Sequence, residues 1–394
     1  MAELTYRYRL YPTDKQAAEI RRICGCTRFL YNKLLEDKTK HFRETKQWKK
    51  LNPEPYLALP FMKTADLKAL SWTTGDLERA YRNFFHILNT QENRYRPEAR
   101  KTASEDPTYV LMDTDLMGYP RFKKKKATSE SYTTYLDDLE IKNKRILLPS
   151  VGEVKIRLHR PIPTEAEQVC CTVLKKSSGE YYLAIQLKFP DAQQVEKLEK
   201  PVGIVFAEGR LAVRSDEVPI VYRHQDKKTT QRITKARRAL KRRTPGSKGY
   251  EEMRIHLAKL YEHRSNQRKD DLHKAARQIA NAGDAFYVQK PGVKERLARM
   301  DSSAKKVQQQ DEAWWTFSTM IQYKVKNEGK RYWGVPTAYP LNSLCSCCDY
   351  KVKEDRQEKW VCPNCGVEMD LALNAVRNLM NLGFTYIEGL KSAT

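Results

Sequence analysis

Four cysteines with paired spacing are the side chains whose pattern most directly indicates chemistry. Cys345 and Cys348 enclose two residues, Cys362 and Cys365 enclose two more, and thirteen residues separate the pairs. Each CxxC turn places two sulfurs about one tetrahedral edge apart, so that two turns complete a four-thiolate shell. Closed coordination leaves no position for water. The spacing therefore predicts a structural Zn²⁺ ion rather than a catalytic one.

The other five of the nine cysteines show no such spacing. In a reducing compartment this distribution favours metal binding over disulfides. Cys347 lies between the two cysteines of the first CxxC pair, either as a bystander or as an alternative ligand. The remaining four are Cys24, Cys26, Cys170 and Cys171.

The excess of basic residues indicates which kind of partner the protein binds. The 394 residues carry 73 Lys and Arg against 49 Asp and Glu, a net charge of +24. Such a surplus repels itself unless it faces a polyanion, and nucleic acid is the commonest one. The chain has no apolar run near the ~20 residues of a membrane span and no signal-peptide core. We expect a cytoplasmic protein, or a nuclear one if its source is eukaryotic, with no membrane partner.

The first half of the chain contains alternating patterns that indicate strands around a helical stretch. Residues 4–10 alternate apolar and polar side chains and end at Pro12. Helical patterns cover 13–49 and 61–93, whereas the polar stretch 94–117 is predicted to be a loop or insertion. Many short strands favour a small barrel that the first strand completes. The clearest of these later strands are 153–160 and 181–189.

From Val202 the pattern changes to mixed α/β. Strands are predicted at 202–206, 211–213, 219–223, 285–289 and 331–335. Helices are predicted at 227–243, 250–281 and 311–327, and a last one starts near Asp370.

Several short strings stand in order along nearly the whole chain. They are Tyr8–Thr13 with Gln16, Gly25–Arg28 with Tyr31-Asn32, Gly118–Lys124, Leu148-Pro149 with Gly152, Val154–Ile156 and His159-Arg160, Asn266–Lys274, and Asn374–Asn378 directly after the second CxxC. Together they resemble the TnpB family, the transposon-encoded RNA-guided nucleases related to type V CRISPR effectors. The unguided alternative is a basic zinc-ribbon DNA-binding protein that serves a transposase.

The resemblance implies an α/β multidomain architecture. It consists of a split wedge β-barrel with a helical recognition lobe, and a RuvC-type (RNase H-like) domain with an inserted zinc ribbon. The boundaries that follow are wedge 1–11 and 118–198, recognition lobe 12–117, RuvC-like domain 199–339 and 368–394, and zinc ribbon 340–367.

Members of this family hold two Mg²⁺ ions with three carboxylates, and the matching strings here carry none at those positions. Val205 stands at the Asp of "G-I-D-x-G", Gln289 at the Glu of "E-D-L" and Ala372 at the second Asp of "D-R-D-x-N-A-A". Valine and alanine have no donor atom, and a neutral amide does not retain magnesium. A shift in register at the third motif would make Asp370 the surviving acid. Glu208, Asp284 or Glu295 are alternative acids.

The chain therefore resembles the nuclease-dead TnpB-like repressors (TldR), which implies guide RNA and double-stranded target DNA with an adjacent motif as partners. The resemblance also implies a bacterial protein that is associated with the nucleoid in the cytoplasm. An active endonuclease with displaced acids is the alternative. Basic runs are expected to contact phosphate, although a solvated face gives the same pattern. The predicted nucleic-acid-binding residues are Arg121, Lys123, Lys124, Lys125, Lys126, Arg237, Arg238, Lys241, Arg242, Arg243, Arg268 and Lys269. Candidates for stacking on bases, or for the core, are Tyr6, Tyr8, Tyr31, Trp72 and Phe122.

Overall fold

In the computed structural model the chain forms two compact units, Glu3–Phe189 and Pro190–Thr394, the latter with Met1–Ala2. The structure describes residues 2–391 except 46, 49, 91–94, 106–114, 126–128, 137–140, 164, 191, 193, 196–197, 208–209, 221, 223–226, 293–312, 337–338, 340 and 352–358.

The first unit contains a seven-stranded sheet in which the first strand of the chain lies at the centre. Its order is β2-β6-β7-β1-β5-β4-β3. β1 pairs antiparallel with β5, and Leu10 lies opposite Ile156. The strands are β1 (Ala2–Tyr11), β2 (Glu130–Thr134), β3 (Ile141–Lys142), β4 (Arg145–Leu148), β5 (Gly152–Arg157), β6 (Glu167–Lys175) and β7 (Tyr181–Phe189). The sequence prediction that the N-terminal strand completes the later sheet is confirmed.

Alternation explains why these segments form one core. Successive strand residues point to opposite faces, so every second side chain can be buried on the same side. Tyr8 and Leu10 of β1 share one cluster with Ile156 of β5 and Ile185 of β7. The inner side chains of six strands meet in that cluster, as expected for a strongly curved, barrel-like sheet.

The described part of the same unit contains two long helices and three short ones. They are α1 (Asp14–Thr45), α2 (Glu54–Leu57), α3 (Pro60–Lys63), α4 (Leu67–Thr90) and α5 (Pro97–Glu105). Leu30 and Leu34 of α1 pack with Leu77 and Tyr81 of α4 in a second core. The prediction of a loop throughout 94–117 is wrong at α5, where Pro97 occupies the first turn, a position in which its missing N–H costs nothing.

Asp66 joins the helices to the sheet. Its side chain is 4% exposed. One carboxylate oxygen accepts hydrogen bonds from the backbone N–H groups of Lys68 (2.9 Å) and Ala69 (3.2 Å), which caps the start of α4. The other accepts from the Thr134 hydroxyl of β2 at 2.6 Å. The position of α4 on the sheet therefore depends on one buried carboxylate.

The second unit is built on a four-stranded sheet of order β11-β10-β8-β9. β8 (Pro201–Val205), β10 (Ala285–Gln289) and β11 (Arg331–Val335) run parallel, while β9 (Val213–Arg214) is antiparallel to β8. The predicted strand at 219–223 is wrong for residues 219, 220 and 222, which form no strand; residues 221 and 223 lie outside the described residues.

Among the described residues of this unit, four helices and a small ribbon accompany the sheet. α6 (Lys227–Lys241), α7 (Lys248–Ala280), α8 (Trp314–Asn327) and α9 (Leu371–Lys391) are helical, and β12 (Lys359–Val361) pairs with β13 (Glu368–Asp370). The large core contains Phe286 of β10, Leu272 of α7 and Phe317 of α8. Helix α9 packs on the opposite face of the sheet, with Val205 and Tyr287 in a separate cluster.

Replacement of Asp66 by Ala should lower the free energy of unfolding by about 2–4 kcal/mol, because it removes a helix cap and leaves the buried Thr134 hydroxyl without its acceptor. Urea unfolding of the full chain measures the change. The matched control is Glu44→Ala, since Glu44 is exposed and pairs only with Lys40 on the same helix. It should shift stability by less than about 0.5 kcal/mol. Equal effects of the two changes would contradict this role for Asp66.

Candidate functional site

The three positions that the sequence matches to the family's catalytic acids converge at one edge of the second sheet. Val205 ends β8 and Gln289 ends the neighbouring parallel strand β10, whose Val288 lies opposite Ile204. Ile204 and Val288 belong to the large core, so alternation places positions 205 and 289 on the other face, where α9 lies. Ala372 is in the first turn of α9.

Helix α9 approaches this face closely because two glycines permit it. A Cβ added to Gly203 of β8 would lie 2.9 Å from the sulfur of Met380. A Cβ on Gly383 would lie 2.6 Å from the ring of Tyr287, whose hydroxyl donates a hydrogen bond to the Gly383 carbonyl at 3.1 Å. The start of α9 is thereby held over the carboxyl ends of β8 and β10.

Val205 lies inside an apolar contact. It is 3% exposed and shares a cluster with Leu341, Ala375 and Val376. A valine at this place stabilises the packing of α9 by removing apolar surface from water, and it offers no atom to a metal ion. Gln289 is half-buried and provides a neutral amide.

Among the described residues, Asp370 is the acid that lies at this edge, and both of its oxygens are engaged. Oδ1 accepts hydrogen bonds from the backbone N–H groups of Ala372 (2.9 Å) and Leu373 (3.2 Å), which caps α9. Oδ2 pairs with the guanidinium of Arg210 at 2.5 Å. Burial alone would raise the pKa of this carboxyl, but the hydrogen bonds from Arg210, Leu373 and Ala372 outweigh burial and the pKa is lowered.

This donor set does not fit a pair of Mg²⁺ ions. Magnesium requires hard oxygen ligands with negative charge, whereas Val205 and Ala372 have no donor and Gln289 has a neutral one. Asp370 faces Arg210, and Lys290 follows Gln289 directly. The local charge therefore opposes a divalent cation.

One alternative acid is placed far from this edge. Asp284 precedes β10 at its opposite end, where its carboxylate accepts hydrogen bonds from the backbone N–H groups of Glu199 (2.8 Å) and Lys200 (3.0 Å). Five residue steps along the strand, about 16 Å, separate it from Gln289. Glu208 and Glu295 lie outside the described residues.

The four paired cysteines come together as their spacing predicted. All four Sγ atoms lie within 4.8 Å of one another. Cys345 and Cys365 are 3.7 Å apart, as are Cys348 and Cys362. A tetrahedral site with Zn–S bonds of about 2.3 Å has edges of about 3.8 Å, so the cluster could hold one Zn²⁺ ion.

Backbone hydrogen bonds preform both CxxC turns. The Cys345 N–H donates to the Tyr350 carbonyl at 3.0 Å, and the Cys362 N–H to the Val367 carbonyl at 2.9 Å. Gly366 has a φ of +71°, which follows from the tight turn of the second pair. Cys347 is exposed and is not part of the cluster.

Two buried asparagines connect α9 to the chain that enters this cluster. Asn374 donates to the Leu344 carbonyl at 2.7 Å and accepts from the Ser346 N–H at 2.8 Å. Asn378 donates to the carbonyls of Leu341 and Leu344, both at 2.9 Å. The cysteine cluster and the sheet edge are thus fixed to the same helix.

The predicted basic residues fall in three places. Arg237, Arg238 and Lys241 are exposed on α6, whose opposite face packs Ile233 and Ala236 against Leu260 of α7. Arg242 and Arg243 follow in the exposed turn before α7, and Arg268 and Lys269 lie further along α7. Arg121, Lys123, Lys124 and Lys125 are exposed in the first unit, and Lys126 lies outside the described residues.

The segment of Lys123 is held in place by α1. Asn32 accepts a hydrogen bond from the Lys123 N–H at 2.8 Å and donates to its carbonyl at 3.0 Å. The Lys123 ammonium lies 4.2 Å from the centre of the Tyr31 ring. Tyr31 and Tyr8 are buried in cores, whereas Phe122 is 55% exposed and remains a candidate for stacking.

Sequence reasoning missed Arg210. It lies on the loop between β8 and β9, outside both basic runs, and its partner Asp370 is 160 residues away in the chain. No local pattern indicates such a pair.

Three family models match different parts of the chain. A "Helix-turn-helix domain" model covers residues 1–47, a "Probable transposase" model 184–295, and a "Cas12f1-like, TNB domain" model 314–379. In this chain residues 2–45 form β1 and the single helix α1. These matches lie near the start, middle and end of the sequence.

Curated relatives match over almost the whole length. The chain is 25% identical over 383 residues to a "Putative RNA-guided DNA endonuclease" of Streptomyces pristinaespiralis, covering 96% of this chain and 89% of the relative. It is 24% identical to the "Putative RNA-guided DNA endonuclease InsQ" of Escherichia coli K12, covering 96% and 92%. The family models and these relatives agree with the resemblance of the chain to the TnpB family.

Solved structures that resemble this chain include a Cas12f1-sgRNA-target DNA complex, with a TM-score of 0.48, 14% identity and coverage of 92% of this chain and 82% of that one. Another is the mini-RNA-guided endonuclease CRISPR-Cas_phi3, with a TM-score of 0.41, 8% identity and coverage of 96% and 92%. Within the described part of the chain, no helix has the length and apolarity needed to cross a membrane.

We expect about one zinc ion per chain in purified protein, because the four sulfurs form a closed tetrahedral set. Metal analysis by mass spectrometry measures it. Cys362→Ser should remove most of the zinc and lower Tm, since metal binding is coupled to folding of the ribbon. The matched control Cys347→Ser should retain the metal. Zinc retained in Cys362→Ser, or lost in Cys347→Ser, would show that the ligand set is different.

Proposed function

We propose that this chain is an RNA-guided DNA-binding protein that occupies its target next to a short adjacent motif without cutting it, and thereby represses transcription. The observation that carries the proposal is the donor set at the sheet edge, where Val205, Gln289 and Ala372 stand at the positions of the family's acids. Phosphodiester hydrolysis by two metal ions needs carboxylates that hold both ions beside the scissile phosphate.

The resemblance to the TnpB family and the charge support the guided-binding part of the proposal. The net charge of +24 suits a protein that holds two polyanions, a guide RNA and a target duplex. In guided recognition the protein holds the heteroduplex by its backbone, while base pairing supplies the sequence. Exposed Arg and Lys residues on α6 and beside Asn32 are suited to phosphate contacts of this kind.

The domain assignment that goes with this function is also a proposal. The wedge would consist of residues 1–11 and 118–198, the recognition lobe of 12–117, the RuvC-like domain of 199–339 and 368–394, and the zinc ribbon of 340–367. The seven-stranded sheet with β1 at its centre, and the attachment of the cysteine cluster to α9 through Asn374, support it.

An active RNA-guided endonuclease is the second candidate. The names of the curated relatives favour it, since they are given as endonucleases. It would require acids other than those at the matched positions. Asp284 caps the far end of β10 and Asp370 is paired with Arg210, which makes both poor ligands at this edge.

Binding and cleavage are separable in one experiment. The protein is purified with its copurifying RNA, the RNA is sequenced, and a duplex that matches the guide segment is labelled on both strands. We expect binding at least about 100-fold tighter than to an unrelated duplex, and no strand breaks with Mg²⁺ or Mn²⁺. Breaks that depend on metal would establish the endonuclease. Binding that survives RNase and ignores sequence would indicate the unguided alternative.

The basic helix α6 offers a second prediction. Arg237→Ala, Arg238→Ala and Lys241→Ala together should weaken guided complex formation and reduce the slope of log K against log salt concentration by about 2 to 3. In the control variant, three exposed lysines outside the predicted set are replaced by Ala: Lys15, Lys50 and Lys63. An equal loss of affinity in both triple variants would show that α6 has no particular role.

A further inference from the structure

Arg210 occupies a place at the sheet edge that suggests a role of its own. Its guanidinium binds Oδ2 of Asp370, the carboxylate that also caps α9. The side chain of Arg210 is 54% exposed and that of Asp370 22% exposed, so the pair lies at the open side of the edge. A positive charge therefore faces the region where the family's metal ions would be held.

The loop that carries Arg210 is anchored on both sides. Before it, Phe206 is buried and stacks on Trp314 with ring centres 5.7 Å apart. After it, Leu211 is fully buried in the large core with a φ of +63°. A left-handed conformation is unfavourable for leucine and persists only where the surrounding structure requires it. Burial of Leu211 thus fixes the turn that directs Arg210 away from the core and towards Asp370.

We infer that Arg210 is a resident cation that substitutes for metal charge at this edge: it neutralises Asp370, closes the loop onto the start of α9, and excludes divalent ions. The inference rests on the proposed function, since it assumes that the edge holds no Mg²⁺. Beyond the proposed function, the inference states that loss of the matched acids is accompanied by a gain of fixed positive charge. Restoration of the acids alone would leave that charge in place.

The test measures Mn²⁺ binding to zinc-saturated full-length protein. Binding is monitored by electron paramagnetic resonance, in which the signal of free Mn²⁺ decreases as the ion binds. Val205→Asp, Gln289→Glu and Ala372→Asp restore the acids, and the triple variant is compared with the same variant carrying Arg210→Ala. Removal of Arg210 should tighten Mn²⁺ binding at least about tenfold, because a cation in contact with a ligand carboxylate opposes a second cation. Equal affinities would overturn the inference.

Arg377→Ala is the matched control in the same triple background. Arg377 pairs with Glu217 at 3.2 Å and is also about half exposed, but it lies further along α9. It should leave Mn²⁺ affinity unchanged. A gain equal to that of Arg210→Ala would mean that net charge, and not this residue, excludes the ion.

A substitution at an exposed position tests the same inference if Asp at position 205 prevents folding. Arg210→Glu in the otherwise unchanged chain places a second carboxylate beside Asp370, and Mn²⁺ should then raise Tm in a concentration-dependent manner. Arg377→Glu should show no such rise. Absence of the rise in Arg210→Glu would count against the inference. Tight binding of two Mn²⁺ ions by the unchanged chain would instead overturn the proposed function.

Discussion

Helix α9 packs closely on the carboxyl ends of β8 and β10, and this packing determines which side chains the site can hold. Gly203 allows Met380 of α9 to approach β8, and Gly383 allows α9 to approach the ring of Tyr287, at distances where a Cβ would clash. Position 205 is consequently enclosed between the sheet and the helix. A valine there contributes apolar contact, whereas an ionised carboxylate would require a cation within reach to offset its desolvation.

The same packing explains why the three matched positions are stable without acids. Removal of metal ions from a carboxylate site would leave negative charges in mutual repulsion. In this chain the matched positions are neutral, and Asp370 beside them has both a helix N-terminus and a guanidinium as partners. Asn374 and Asn378 then connect this helix to the cysteine cluster, so the proposed zinc ribbon and the edge depend on a common element.

Sequence predicted those features that depend on local periodicity or spacing. β7, β10 and β11 were placed at their observed bounds because their side chains alternate or form short apolar runs between turns. The cysteine cluster followed from the two CxxC pairs. Helix α5 was missed because its composition is polar, and a strand was wrongly expected near Ile220 because alternation alone does not supply a pairing partner.

The interaction between Arg210 and Asp370 was beyond sequence reasoning for a different reason. It joins a loop to a helix start 160 residues later, and it depends on a left-handed turn at Leu211 that a leucine rarely adopts. Only the packed structure brings these parts together. Composition indicated a nucleic-acid partner. It did not indicate which exposed cations contact phosphate, because a basic run looks the same on a binding surface and on a solvated one.

Anomalous scattering from crystals of the chain bound to its guide RNA and matched target DNA, grown with Mn²⁺, would show whether the edge holds metal. We predict an anomalous peak from zinc at the four cysteines and no Mn²⁺ between the ends of β8 and β10 and the start of α9. Two Mn²⁺ peaks at that edge beside a phosphodiester would contradict this prediction.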